Sequence, residues 1–375
     1  MRGIVLFIVF LLFVSCSTTN KIDVRIIKEG EMEKNSIQIR DLLDSHYQVS
    51  NHFIDTISFA VLDSISFKDN NPDRIIVHST PVSLDFSKKI KPYSPEYYSV
   101  STVYYMTKCM NYYESLFANK IKFNSQIDYK TIKILFGDVP LITSPKNYIY
   151  EKRAPFSPSI IYHEIGHRAF WLIESDLGVK FRGLTYIHVG LLEYFTVSLN
   201  DSPVVGESGL PENLVRHAEY LYQYPLQDSL FLGHTLKLIK NAYMSKIIDS
   251  TNNISKYYNL TQNKYKQLLF KKVDNHRAGL VITSTLWRIR KQIGAEKTDK
   301  LIASTILDLN KFMGKRSKFY VADAGEKVED YINWYDLYYG LIDKDKDLFN
   351  GINHAIITSS FEQTGFPVNK VKIER

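Results

Sequence analysis

Apolar and polar positions alternate over short stretches in the first quarter of the chain. Asp23-Val24-Arg25-Ile26-Ile27 and Arg74-Ile75-Ile76-Val77-His78 both read as strands. Asp69-Asn70-Asn71-Pro72-Asp73, between such patterns, is a turn signal. From Tyr97 the period changes. Val103, Met106, Met110, Tyr113 and Leu116-Phe117 recur at helical spacing, which predicts an amphipathic helix over 97–118. Thr131-Ile132-Lys133-Ile134-Leu135-Phe136 then reads as a strand, and Asn147-Tyr148-Ile149-Tyr150-Glu151 as another. Beyond Ser157 most segments carry helical patterns, down to Phe361. No repeat, low-complexity tract or long linker interrupts them, so the helical part reads as one continuous domain. Strands first and helices later predict an α+β fold.

Composition narrows the class. The chain has 375 residues, 45% of them apolar, with 26 Tyr and 21 Phe. That is enough for one large core or two modest ones, and it excludes disorder over most of the length. The formal charge of +7 is spread thinly: Lys88-Lys89 and Lys271-Lys272 are isolated pairs, and no long basic run carries interleaved aromatics. This is a solvated basic surface, and no nucleic-acid partner is expected.

The N-terminal segment adds a location. Arg2 precedes an apolar stretch from Ile4 to Val14, then Ser15-Cys16-Ser17. That stretch is too short to span a hydrocarbon core of about 30 Å, but it suits the core of a signal peptide. Phe13-Val14-Ser15-Cys16 resembles the bacterial lipobox, with Phe at the first position where Leu is usual. The resemblance implies removal of residues 1–15 and lipidation of Cys16. It also implies a domain tethered to a membrane of the bacterial cell envelope, facing the periplasm or exterior. The alternative is an ordinary signal peptide with an incidental cysteine. Only Cys109 would remain besides Cys16, so no intramolecular disulfide is expected.

The chemistry lies at His163-Glu164-Ile165-Gly166-His167. Ser157-Pro158 ahead of Ile160-Ile161 is a helix start, Ser as N-cap and Pro at the first helical position. On that helix His163 and His167 are one turn apart, so both imidazoles project toward one point. Two nitrogens converging at about 2.0–2.1 Å from an ion is what zinc needs. Glu164 could then act as general base on a water that zinc has acidified. The bland alternative is a buried helix with two satisfied histidines.

The flanking segments resemble the thermolysin-like and fungalysin-like zinc metallopeptidases. The stretch His188-Val189-Gly190-Leu191-Leu192-Glu193-Tyr194-Phe195 is similar to the family's third-ligand helix. Asn275-His276-Arg277-Ala278-Gly279, ahead of a helix ending Leu286-Trp287-Arg288-Ile289-Arg290, is similar to the segment carrying a catalytic histidine. Val103 to Phe117 and Phe349-Asn350-Gly351 through Gly365 extend the likeness over residues 97–366. It implies a zincin-like fold, with a mixed sheet, an active-site helix and a mainly helical C-terminal lobe over 96–366. A β-rich segment at 16–95 precedes it, as an accessory module, a spacer or extra strands on the sheet. The resemblance further implies a zinc cofactor, a peptide or protein substrate, Glu164 as base and His276 as oxyanion donor.

One departure is plain. The family's third-ligand position falls on Val189, which cannot bind zinc. Glu193, one turn beyond on the same face, could complete His163 and His167 as ligands, although in the family that position orients the first histidine. His188 could instead turn inward, from a direction about 100° away. Or the site is degenerate. The chain is therefore expected to be a membrane-anchored zinc endopeptidase, an inactive peptidase-like lipoprotein binding peptide or envelope components, or a purely structural envelope lipoprotein.

Overall fold

The computed structural model describes residues 21–28, 31–38, 56–67, 75–82, 84–85, 90–91, 94–117, 131–137, 142–143, 147–151, 157–177, 186–206, 215–221, 275–309, 334–366 and 368. Cys16, the segment before it and the turn signal at 69–73 lie outside them.

Strands β1 (Lys21–Lys28) and β2 (Glu31–Gln38) form a two-stranded antiparallel sheet. Its register sets Ile22 opposite Ile37 and Ile27 opposite Met32. A second sheet has five strands. β3 (Thr56–Phe67) pairs antiparallel with β4 (Ile75–Pro81), with a register shift between Leu62 and Ser64. β3 also runs parallel to β5 (Thr131–Gly137), and β5 parallel to β7 (Asn147–Glu151). The short β6 (Ile142–Thr143) closes the edge antiparallel to β7, giving the order β4-β3-β5-β7-β6. Ala60 and Leu135 are register partners on the two neighbouring interior strands, and both are buried.

Parallel pairing needs a crossover connection. Helix α1 (Pro95–Phe117) lies on the path from β4 to β5. The strands expected near 23–27, 74–78, 131–136 and 147–151 are β1, β4, β5 and β7, and the expected 97–118 helix is α1. Of the β-rich segment, β3 and β4 share a sheet with β5, β6 and β7.

The remaining described elements are mostly helical: α2 (Pro158–Leu177), α3 (Tyr186–Asn200), α4 (Asn275–Ile293), α5 (Ala295–Asp308), α6 (Trp334–Phe349) and α7 (His354–Gln363). Between α3 and α4 lies a small hairpin, β8 (Val204–Val205) with β9 (Arg216–His217). The architecture is α+β. Its main core joins Val103, Met106 and Met110 of α1 to Ile161 and Ile165 of α2, Leu191 and Leu192 of α3, and residues of every later helix.

Helix α3 is apolar round most of its circumference, as a helix surrounded by others must be. Two glycines let its neighbours close in. A Cβ on Gly190 would stand 2.7 Å from the Gly279 carbonyl oxygen and from the Ile282 Cβ of α4. A Cβ on Gly166 of α2 would stand 2.9 Å from the Tyr113 hydroxyl of α1 and 3.2 Å from Leu192 of α3. Gly166 therefore sets how closely α1 and α3 approach the motif helix. One buried carboxylate ties three helices together. Asp299 of α5 accepts from Tyr112 of α1 (2.9 Å), and from Tyr194 (2.6 Å) and Ser198 (2.7 Å) of α3.

Candidate metal centre

Helix α2 begins where Ser157-Pro158 predicts, its first turn closed by the Ile160 amide donating to the Ser157 carbonyl at 3.1 Å. His163, Glu164 and His167 are all buried. The two imidazoles meet nearly perpendicular, and their Nε2 atoms are 3.2 Å apart. For two nitrogens about 2.0–2.1 Å from one tetrahedral zinc, the separation is about 3.3–3.4 Å. The observed separation is slightly shorter than that, and is also that of a hydrogen bond between the two rings.

Each ring is backed on its Nδ1 edge. Glu193 of α3 places Oε1 3.4 Å from His163 Nδ1, and the same oxygen is 3.0 Å from Nη1 of Arg216 on β9. Behind His167 stands a second imidazole, with His188 Nε2 3.0 Å from His167 Nδ1. His188 Nδ1 in turn lies 2.7 Å from Glu174 Oε1. The His167 and His188 rings are nearly coplanar, centroids 5.2 Å apart at 17°, as their edge-to-edge hydrogen bond requires, and Trp171 covers His167 at 5.9 Å and 25°. Burial raises the Glu174 carboxyl above the usual carboxylate range, and the hydrogen bond with His188 opposes that shift.

Proton accounting shows what this chain of groups demands. With Glu174 as acceptor, His188 donates from Nδ1 and accepts at Nε2 from His167 Nδ1. Glu193 Oε1 is at ion-pair distance from His163 Nδ1. The two Nε2 atoms face each other across 3.2 Å, a contact that one proton on either atom makes a hydrogen bond. With neither protonated the contact is repulsive, and a cation between them would relieve it. Tautomers here follow from the network.

The sequence-derived site residues separate into groups. His163 and His167 are brought together and Glu164 is buried on the same helix, with Glu193 at the Nδ1 edge of His163, opposite the converging nitrogens. His188 does turn inward, onto the Nδ1 edge of His167, while Val189 is buried in α3. Among the described residues, no group of three or more His, Cys, Asp or Glu side chains is arranged to hold a metal ion. His276 lies within the first turn of α4 and not ahead of that helix. Its turn abuts α3, because Gly279, one turn on, meets Gly190.

Two contributors were not singled out from sequence. Glu174 follows His163 and His167 at helical spacing, three turns and two turns on, so its face could be read from the pattern. Arg216 sits on a two-residue strand with no periodicity, and nothing in the sequence marks it. Compared with known proteins, the chain matches no family model and no curated sequence.

Proposed function

We propose that the chain is a zinc-dependent endopeptidase, tethered in a bacterial cell envelope through a lipid on Cys16. The observation that carries this reading is the facing Nε2 pair of His163 and His167, each ring held from behind by buried partners. Metal-binding histidines are typically oriented this way, by a carboxylate or other acceptor on the second ring nitrogen. The mixed sheet with its antiparallel edge strand β6, ahead of the motif helix, supports a zincin-like architecture.

In this reading His163 and His167 hold the ion. Zinc bound there supplies Lewis acidity, lowering the pKa of water toward about 7. Glu164, next to the first ligand, accepts the proton of the attacking water and delivers it to the leaving amine. Glu193, with Arg216 balancing its charge, keeps His163 facing the ion. His276 donates to the oxyanion that develops on the scissile carbonyl.

A second reading has its own support. Val189 is buried where the family has its third ligand, and Glu193 is committed to His163 and Arg216. Such a chain would bind peptide or envelope components without cutting them. Metal content and peptide cleavage by the purified full chain separate the two. The endopeptidase contains about one zinc per chain, cleaves a peptide library, and stops on adding chelator. Glu164→Gln keeps the zinc and loses about 10²–10⁴-fold in rate. Metal-free protein that cleaves nothing would leave only the binding reading.

A further inference from the structure

We infer that His188 and Glu174 form a positioning pair for His167, tuning its affinity for a divalent ion from behind the ring. This rests on the proposed metal site and deepens it: the chain reinforces one of the two protein ligands it retains.

The geometry is asymmetric between the two histidines. His163 is backed directly by a carboxylate, at the rather long distance of 3.4 Å and in competition with Arg216 at 3.0 Å. His167 is backed by a second imidazole, His188 Nε2 at 3.0 Å, whose far nitrogen is 2.7 Å from Glu174. These are good hydrogen-bond distances, and they run in sequence from His167 outward. Glu174 holds the proton of His188 on Nδ1, which leaves Nε2 as an acceptor. That acceptor fixes the His167 proton on Nδ1 and leaves its Nε2 lone pair toward His163. Polarisation along such a chain makes His167 Nε2 a stronger donor to a cation than an isolated imidazole.

The pair is also built rigidly. His188 is buried, nearly coplanar with His167 at 17° and packed against Phe170 with centroids 5.2 Å apart. His167, Phe170, Trp171 and Glu174 share one face of α2, so α2 supplies both ends of the chain and α3 the middle. Rotating His167 away from the site would break its hydrogen bond to His188 and its packing against Trp171 together.

The test is zinc affinity of the purified full chain, by competition with a chromophoric chelator, beside helical content and melting temperature. His188→Phe keeps the ring shape and removes both nitrogens, and Glu174→Gln removes the anchoring charge. Zinc affinity is expected to fall about 10–100-fold in the first and by a smaller factor in the second. His188→Gln places an amide oxygen near the former Nε2 and is expected to retain most of the affinity. That rescue, at matched helical content, is what a purely structural residue would not give. If natural chain and folded His188→Phe bind zinc equally, the pair is not tuning His167, while the metal-site reading stands. If His188→Phe does not fold, unchanged affinity in Glu174→Gln and marked loss in His188→Gln overturn the inference equally well. A natural chain that takes up no zinc overturns both readings at once.

Discussion

Gly190 and Gly279 cross so closely that one added methyl on Gly190 would stand 2.7 Å from the Gly279 carbonyl oxygen. The obstacle is backbone, so relief requires α3 and α4 to separate. Thr283 bridges the crossing, its hydroxyl placed 3.0 Å from the Gly190 carbonyl and 3.2 Å from that of Gly279. Gly190→Ala is expected to cost at least the 1–3 kcal/mol typical of overpacking, about that or more. Thr283→Val should cost about 1 kcal/mol. Urea denaturation measures both, and an unchanged midpoint in Gly190→Ala would contradict the packing described.

Two ion pairs should respond very differently to mutation. Glu193 is fully buried and Arg216 is 11% exposed, so Arg216→Met strands a carboxylate in the interior. A loss of about 3–5 kcal/mol is expected. Lys291 and Glu219 are 62% and 49% exposed at 3.1 Å, and Lys291→Ala should stay within about 0.5 kcal/mol. Equal effects in chemical denaturation would mean that burial is not what gives the Arg216 pair its weight.

Stability should also decline in alkali, and Tyr194 should carry part of that decline. Burial, with Asp299 beside it, pushes the Tyr194 phenol well above its usual 10.0, and Tyr112 shifts the same way. A raised pKa means that the folded state holds the proton more tightly than the unfolded chain. The contribution is therefore complete below pH 10 and lost as pH rises beyond it. Tyr194→Phe should flatten the fall in stability above pH 10. It should also cost about 1–2 kcal/mol at neutral pH, because Asp299 loses a donor at 2.6 Å. Denaturant midpoints from pH 8 to 11 for both proteins check the slope and the offset.

The close approach at Gly166 predicts a local effect. An alanine there meets the Tyr113 hydroxyl at 2.9 Å and the Leu192 side chain at 3.2 Å. Neither atom is backbone, so the chain should still fold, with a loss of about 1–3 kcal/mol. Tyr113→Phe in the same chain removes the nearer atom and should recover part of the loss in thermal melts.

Much of the fold was legible because period follows environment. The alternation around Val24-Arg25-Ile26 matches strand β1, and the helical recurrence of Val103, Met106 and Met110 reflects one buried face of α1. β2 was less legible: Glu31-Met32-Glu33-Lys34-Asn35-Ser36 is largely polar, and its strand conformation comes from pairing with β1. At the site, His163, Glu164 and His167 were legible because a helix turns four-residue spacing into convergence. An inward-turning His188 was the harder alternative, since it lies about 100° from Val189 around α3. That rule assumes a helix with one buried face. α3 is buried on nearly all sides, so both residues turn inward, toward different partners. Arg216 was illegible, because a short hairpin brings it in across the fold from a stretch without periodicity.

The stacking of Trp171 on His167 gives the protein an optical reporter of its own. The two rings are nearly parallel with centroids 5.9 Å apart, so positive charge gained by that imidazole acts directly on the indole. The other two tryptophans, Trp287 and Trp334, belong to α4 and α6. Occupation of the His163–His167 gap should therefore be visible as a change in tryptophan emission that disappears in Trp171→Leu. Arrival and departure of an ion at a buried centre could then be timed in the natural chain, with no dye attached.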